Sequence, residues 1–401
     1  MKNQSFRFLW MGQSMANLGD VFYIVGIISL LYTLTESPFA LALVPFINMF
    51  GRFISGIISP WLINRFPLKT LLVYSQVSKT VLLVVLSLLL LSETTANLLI
   101  ILTFVGCIAF LDGWASPASH AMLPRLVPKE QLVKANSFFS IVSETVNLGG
   151  WALGGLAVAL TSSQFVIFGT VGLYIIATMM MFGIDDPTAF QKKELKGKRS
   201  SELTEGWQII WRNPLFRSLH VLIIFEAIAN VVWIASILYI FVADVLGQTE
   251  AWWGYINTAF FLGMIIGGVI CSRFVIAIEN NLKRLLILLS FGISSVTLLF
   301  GITTIPLISI LIVIVNGIVQ QLLGIVSETM LQKSTTTDEL PKIYAVQSAL
   351  ISLLFGISSL GFGAIVELWD VRVTFILAAT LLGFGALFAL IRRHDFIITT
   401  E

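Results

Sequence analysis

Charge is scarce in this sequence. Of its 401 residues only 11% are Asp, Glu, Lys or Arg, while 57% are hydrophobic and the mean hydropathy is +0.93. Soluble domains carry about 25% charged residues. A chain this poor in charge belongs in lipid, where only helices and closed barrels satisfy the backbone. Strand-like alternation of polar and apolar residues is missing as well, which argues against a barrel. The apolar runs are about 20 residues long, the length of a crossing helix. Cysteine is down to two residues, Cys107 and Cys271, both inside apolar runs and far apart. That excludes a disulfide framework and leaves two packing residues. Three histidines, no metal-ligand spacing and no G-x-x-x-x-G-K-[ST] loop leave little material for an enzyme or an ATP-driven pump. No metal and no cofactor are expected. No cleavable signal peptide is expected: the first apolar run is longer than a signal core, and another follows at once.

The apolar runs divide into twelve spans. They cover about 9–32, 39–63, 69–91, 97–118, 136–160 and 164–184, then 218–242, 252–276, 284–304, 306–328, 344–366 and 370–391. The expected fold is an all-α membrane protein of twelve helices in two six-helix bundles. Residues 1–184 form the first bundle, 185–217 a linker and 218–401 the second. The linker holds the basic run KKELKGKR and then an amphipathic piece. Leu203, Trp207, Ile210 and Trp211 share a helical face there, Pro214 ends it, and the face suits a membrane surface.

A recurring connector, and the match of Phe6-Arg7 to Phe216-Arg217 at nearly the same offset, argue that the chain is a duplicated unit. The connector Met122–Ala135 recurs 208 residues later, with Met122, Leu123, Leu132 and Lys134 matching Met330, Leu331, Leu340 and Lys342. The sides of the membrane also differ sharply in charge. On these boundaries 21 of the 24 Lys and Arg residues fall on the side of the N-terminus and only Arg372 on the other. The positive-inside rule then puts both termini and the linker in the cytoplasm of a bacterial inner membrane. The net charge of +2 thus reflects topology and gives no reason to expect nucleic acid. Six spans per copy, an even number, make the copies parallel repeats with a substrate site near the bilayer midplane.

Several segments resemble the macrolide-efflux and enterobactin-exporter branch of the major facilitator superfamily: FRFLWMGQSMANLGD, PASHAMLPRLVPKEQLVKANS and EGWQIIWRNPLFRSL. The resemblance covers nearly the whole chain. It implies a secondary exporter of amphipathic small molecules, of macrolide, drug or siderophore type, driven by proton antiport; a monomer is expected. An importer, a lipid flippase, a facilitator or a non-transporting membrane sensor are the alternatives. The family's gating loop between spans two and three is matched at Gly56, Arg65 and Lys69. Asn64, however, stands where the family carries an aspartate. Arg125 belongs to the same gating group. In the fifth span Gly150-Trp151 replaces the family's Gly-Pro.

Charges inside the spans carry the chemistry. Asp20, Arg52 and Lys79 fall near the centres of spans one, two and three, and Asp112, Glu144 and Glu226 lie about one helical turn nearer the terminal side. Each costs about 2.5–3.5 kcal/mol to insert, so such residues face the interior, and they pair or function there. Asp20, Glu144, Glu226 and Asp112 are proton-coupling candidates. Arg52 and Lys79 are charge-pair candidates. Matching depth on adjacent spans suggests that Arg52 pairs with Asp20. Trp151, Trp233 and Asn230, near mid-membrane, are candidates for lining a substrate cavity. The expected partners are a small-molecule substrate, protons and the bilayer.

Overall fold

The structure is a computed structural model that describes residues 4–35, 38–91, 97–186, 199–233 and 235–396. Lys2, Glu93 and the linker's Lys192, Lys193, Lys196 and Lys198 lie outside the described residues, as does the side chain of Leu203. In chain order the helices are α1 (Gln4–Thr35), α2 (Pro38–Ile63), α3 (Leu68–Leu89), α4 (Leu98–Leu126), α5 (Leu132–Leu160), α6 (Ser163–Phe182) and α7 (Arg199–Arg212). There follow α8 (Pro214–Ala229), α9 (Ala235–Ile240), α10 (Glu250–Arg273), α11 (Val275–Glu279), α12 (Leu282–Ile302), α13 (Pro306–Lys333), α14 (Leu340–Leu368) and α15 (Val371–Ile391). Among the described residues, eleven helical segments are long and apolar enough to cross a membrane. The 29-residue α5 holds the fifth place in the order and completes the twelve-helix pattern.

Local chemistry fixes where several helices begin. The side chains of Asn97, Ser162, Asn213 and Asp370 accept hydrogen bonds from the backbone N–H groups of Leu99, Phe165, Leu215 and Arg372. Each satisfies a donor that the first helical turn leaves free. Pro214 and Pro306 follow at the first helical position, where a missing N–H costs nothing.

The chain packs as two compact units. One comprises Met1–Pro128, Thr145–Gln208 and Thr336–Ser352; the other comprises Lys129–Glu144, Ile209–Thr335 and Leu353–Glu401. Helices α5, α7 and α14 contribute to both. In the first unit α1 packs on α6, α2 on α4, and α3 on both α4 and α6. In the second, α8 packs on α15, α10 on α13, and α12 on both α13 and α15. The duplicated connector therefore belongs to a duplicated packing scheme. The closest approaches repeat too. A Cβ on Gly51 of α2 would sit 2.9 Å from the Gly106 carbonyl of α4, and Gly263 of α10 abuts the Ile314 carbonyl of α13. Only glycine lets two helix backbones meet this closely.

These two glycines thus serve packing inside one sequence copy. Two others join segments from different copies: Gly56 meets Ala349 of α14, and Gly268 meets Ile141 of α5. Gly149, Gly155, Gly356, Gly361 and Gly363 face open space among the described residues.

The seventh span departs from expectation. It is not one helix over 218–242. Helix α8 stops at Ala229, a 3-10 turn covers Asn230–Trp233, and α9 runs into a π turn at Phe241–Val245. An aromatic cluster fixes the break: Trp233, Phe241, Phe300 and Phe375 pack with ring centroids 4.7 to 5.4 Å apart.

Candidate functional site

The intramembrane charges of the first unit form one network. Asp20 lies on α1, Arg52 on α2, Lys79 on α3 and Asp112 on α4. The Lys79 ammonium is 2.8 Å from Asp20 Oδ1 and 3.1 Å from Asp112 Oδ1, and only 2% of its side chain is exposed. The other oxygen of Asp112 meets Arg52 Nη2 at 2.5 Å. Arg52 also donates from Nε to Asn48 Oδ1 at 3.1 Å. Tyr174 of α6 donates its hydroxyl to Asp20, and its ring lies 5.1 Å from the Lys79 nitrogen. Two acids and two bases thus cancel. Each carboxylate has a cation, and the alternation Asp–Lys–Asp–Arg leaves no like charges in direct contact. Such geometry lets charge persist in a low-dielectric interior.

This corrects the expectation that Arg52 pairs with Asp20. Depth alone suggested that pair, because the two residues sit on consecutive spans. Spans one and two, however, are not each other's main packing partners. Helix α1 turns its main face to α6 and α2 turns its to α4. Arg52 therefore meets Asp112, and Asp20 is left to Lys79 and Tyr174. Tyr174, the one tyrosine of its span, was not foreseen. Its hydroxyl at mid-span was the available signal, since a buried tyrosine needs a partner.

The second unit holds Glu226, half-buried on α8. No hydrogen bond or ion pair joins it to another side chain among the described residues. The N–H of Asn230 donates to the Glu226 carbonyl, so the two side chains lie one turn apart on one face. The Asn230 amide oxygen is buried and has no hydrogen-bond partner among the described residues. A carboxyl and an unsatisfied amide therefore flank the point where the helix breaks. Trp233 sits three residues further on and belongs to the aromatic cluster. Trp151 is 50% exposed. Glu144 is half-buried on α5, and the ion pairs of the four-charge network do not include it.

The gating candidates gather at the terminal-side ends of the helices. Arg125 binds Asp186 at 3.0 Å, donates to the Thr337 carbonyl at 3.0 Å, and has Asp338 at 3.9 Å. Arg65 stacks over the Trp61 ring at 4.4 Å. Asn64 donates to Glu205 of α7 at 3.1 Å. Lys69 stands near the start of α3.

Charges inside a twelve-helix membrane fold with duplicated packing point to a carrier, and comparison with known proteins gives its family. Residues 9–278 match the model of the Major Facilitator Superfamily. The chain belongs to the major facilitator superfamily. It is 29% identical over 379 residues to the uncharacterised MFS-type transporter YfmI of Bacillus subtilis (strain 168), covering 94% of this chain and 93% of that one. Among solved structures it resembles a bacterial homologue of the iron transporter ferroportin in its outward-facing state, with a TM-score of 0.79 at 14% identity, covering 97% of this chain and 99% of that one. It also resembles the E. coli fucose:proton symporter, with a TM-score of 0.73 at 13% identity and 97% coverage of both chains. At these identities the structural likenesses establish the fold. The superfamily member described here is thus a multi-pass membrane transporter of small molecules.

Proposed function

We propose that this transporter exports amphipathic small molecules of macrolide, drug or siderophore type by proton antiport, from a bacterial inner membrane with both termini in the cytoplasm. Residues 1–184 and 218–401 act as the two rocking bundles, and the protein works as a monomer. The observation that carries proton coupling is Glu226. Four intramembrane charges, Asp20, Lys79, Asp112 and Arg52, are matched within one network. Among the described residues Glu226 has no such cation and lies beside the unsatisfied Asn230 amide at a helix break. A carboxyl in that setting can exist neutral or charged as its surroundings change, which a proton-coupled carrier requires. The resemblance of the three quoted segments to the exporter branch supports the direction of transport.

Proton-driven uptake is the second reading. It is favoured by the likeness to a fucose:proton symporter, which couples protons on the same fold. The deciding measurement is accumulation of a panel of dyes and macrolides in cells with and without the protein, followed by vesicle transport under an imposed pH gradient. Lower accumulation with the protein, and transport driven by the gradient, are expected. Higher accumulation would replace export by uptake. Sidedness has its own test. Tags at either terminus or within Asp185–Arg217 should react only from the cytoplasm, and a tag at Glu93 only from outside. Labelling of the Glu93 tag from the cytoplasm would overturn the orientation.

A further inference from the structure

Glu205 of α7 accepts hydrogen bonds from two sides: Asn64 Nδ2 at the end of α2 lies 3.1 Å from one oxygen, and Lys342 Nζ at the start of α14 lies 2.6 Å from the other. Both donors are nearly buried. Asn64 is 9% exposed and the Lys342 side chain 3%. The backbones are in contact as well. A Cβ on the next residue, Gly206, would lie 2.7 Å from the Lys342 carbonyl oxygen and 2.6 Å from Val346 Cγ2. Gly56 of α2 lies against α14 in the same way, its Cβ position being 3.0 Å from Ala349 Cβ. Glycine at both positions lets three helices converge, and Glu205 fills the polar gap between them.

We propose that Glu205 is a positioning residue of the transport cycle: a carboxylate on the linker that latches α2 to α14 on the terminal side and holds the conformation described here. Asn64 has the matching role. Its amide must donate, because Lys342 already supplies the positive charge. An aspartate there would place two carboxylates in contact with a single cation between them. The Asn-Glu-Lys triad has one negative and one positive charge, so the latch is neutral and can be buried. To reach the opposite conformation the protein must break both Glu205 bonds and pull Gly206 away from Lys342. The inference depends on the carrier fold alone. It holds whichever substrate is carried and whether or not protons are coupled.

The test exchanges the carboxylate and the amide. Asn64→Asp should break the latch, and adding Glu205→Gln should restore it. In the double variant the amide introduced on α7 can donate to the carboxylate introduced on α2, while its own oxygen accepts from Lys342. The readout is hydrogen–deuterium exchange of Arg199–Arg212 and of the first turns of α14 in the full-length, detergent-solubilised protein. Losing one charge-assisted bond should raise exchange there about tenfold or more in Asn64→Asp, with the double variant returning toward the parent rate. Unchanged exchange in Asn64→Asp, or a double variant as open as the single one, would overturn the latch. Gly206→Ala is the independent check should Asn64→Asp fail to fold. It keeps all three polar groups and should open the same segments by contact with Lys342 and Val346. Full protection in Gly206→Ala would also overturn the proposal.

Discussion

Glu226→Gln is expected to abolish transport driven by a pH gradient while leaving substrate binding measurable. The substitution keeps size and hydrogen-bonding shape and removes only the capacity to release a proton. Two readouts separate coupling from binding. Substrate-induced proton release from detergent-solubilised protein should vanish in the variant. Reconstituted vesicles should lose the response to an imposed gradient, while substrate still shifts the protein's intrinsic tryptophan fluorescence. Asp20→Asn provides the contrast. Asp20 is held by Lys79 and Tyr174, so neutralising it strands a buried ammonium as well. Its loss of transport should come with loss of stability, whereas Glu226→Gln should stay folded. Gradient-driven transport at the parent rate in Glu226→Gln would remove this residue from the coupling step. Indifference of the parent protein to the gradient would favour a facilitator.

Much of this architecture was legible in the chain because the bilayer makes strict demands. Runs of about 20 apolar residues, and Lys and Arg confined to one side, are requirements for insertion. They fix the helix order, and the recurring connector marks the duplication. What the pattern could not supply is which helix faces which. Asp20 and Arg52 share a depth, and sequence order made them look like neighbours. Packing instead sends α1 to α6 and α2 to α4. The interruption after Ala229 was equally hidden, since Asn230-Val231-Val232-Trp233 is as apolar as a helical span needs. Its cause lies in Phe300 and Phe375, which come from distant segments. The linker shows the same limit. Its amphipathic face was read as one surface for the membrane, yet Ile210 and Gly206 are buried while Trp207 and Trp211 are exposed. Periodicity gives a helix its faces. It does not say whether lipid or protein covers each one.

Lys79 offers the sharpest test of the corrected pairing. Lys79→Met removes the cation shared by Asp20 and Asp112, and its side chain is almost wholly buried. Breaking one side of a buried ion pair costs about 3–5 kcal/mol, so a large fall in thermal midpoint and in folded yield is expected. Two second-site changes then restore the same net charge in different places. With Asp20→Asn, the Arg52–Asp112 contact at 2.5 Å survives and no unpaired carboxylate remains. With Asp112→Asn, Arg52 loses its partner, and Asp20 keeps only the Tyr174 hydroxyl. Lys79→Met with Asp20→Asn should therefore recover much of the lost stability, and Lys79→Met with Asp112→Asn little of it. Melting curves of the three purified proteins in one detergent give the comparison. Because the two double variants carry the same total charge, a difference between them reports geometry and cannot come from net charge. Equal recovery would mean that the acids share the cations without preference. Better recovery with Asp112→Asn would return Arg52 to Asp20, the pairing that depth along the helices first suggested.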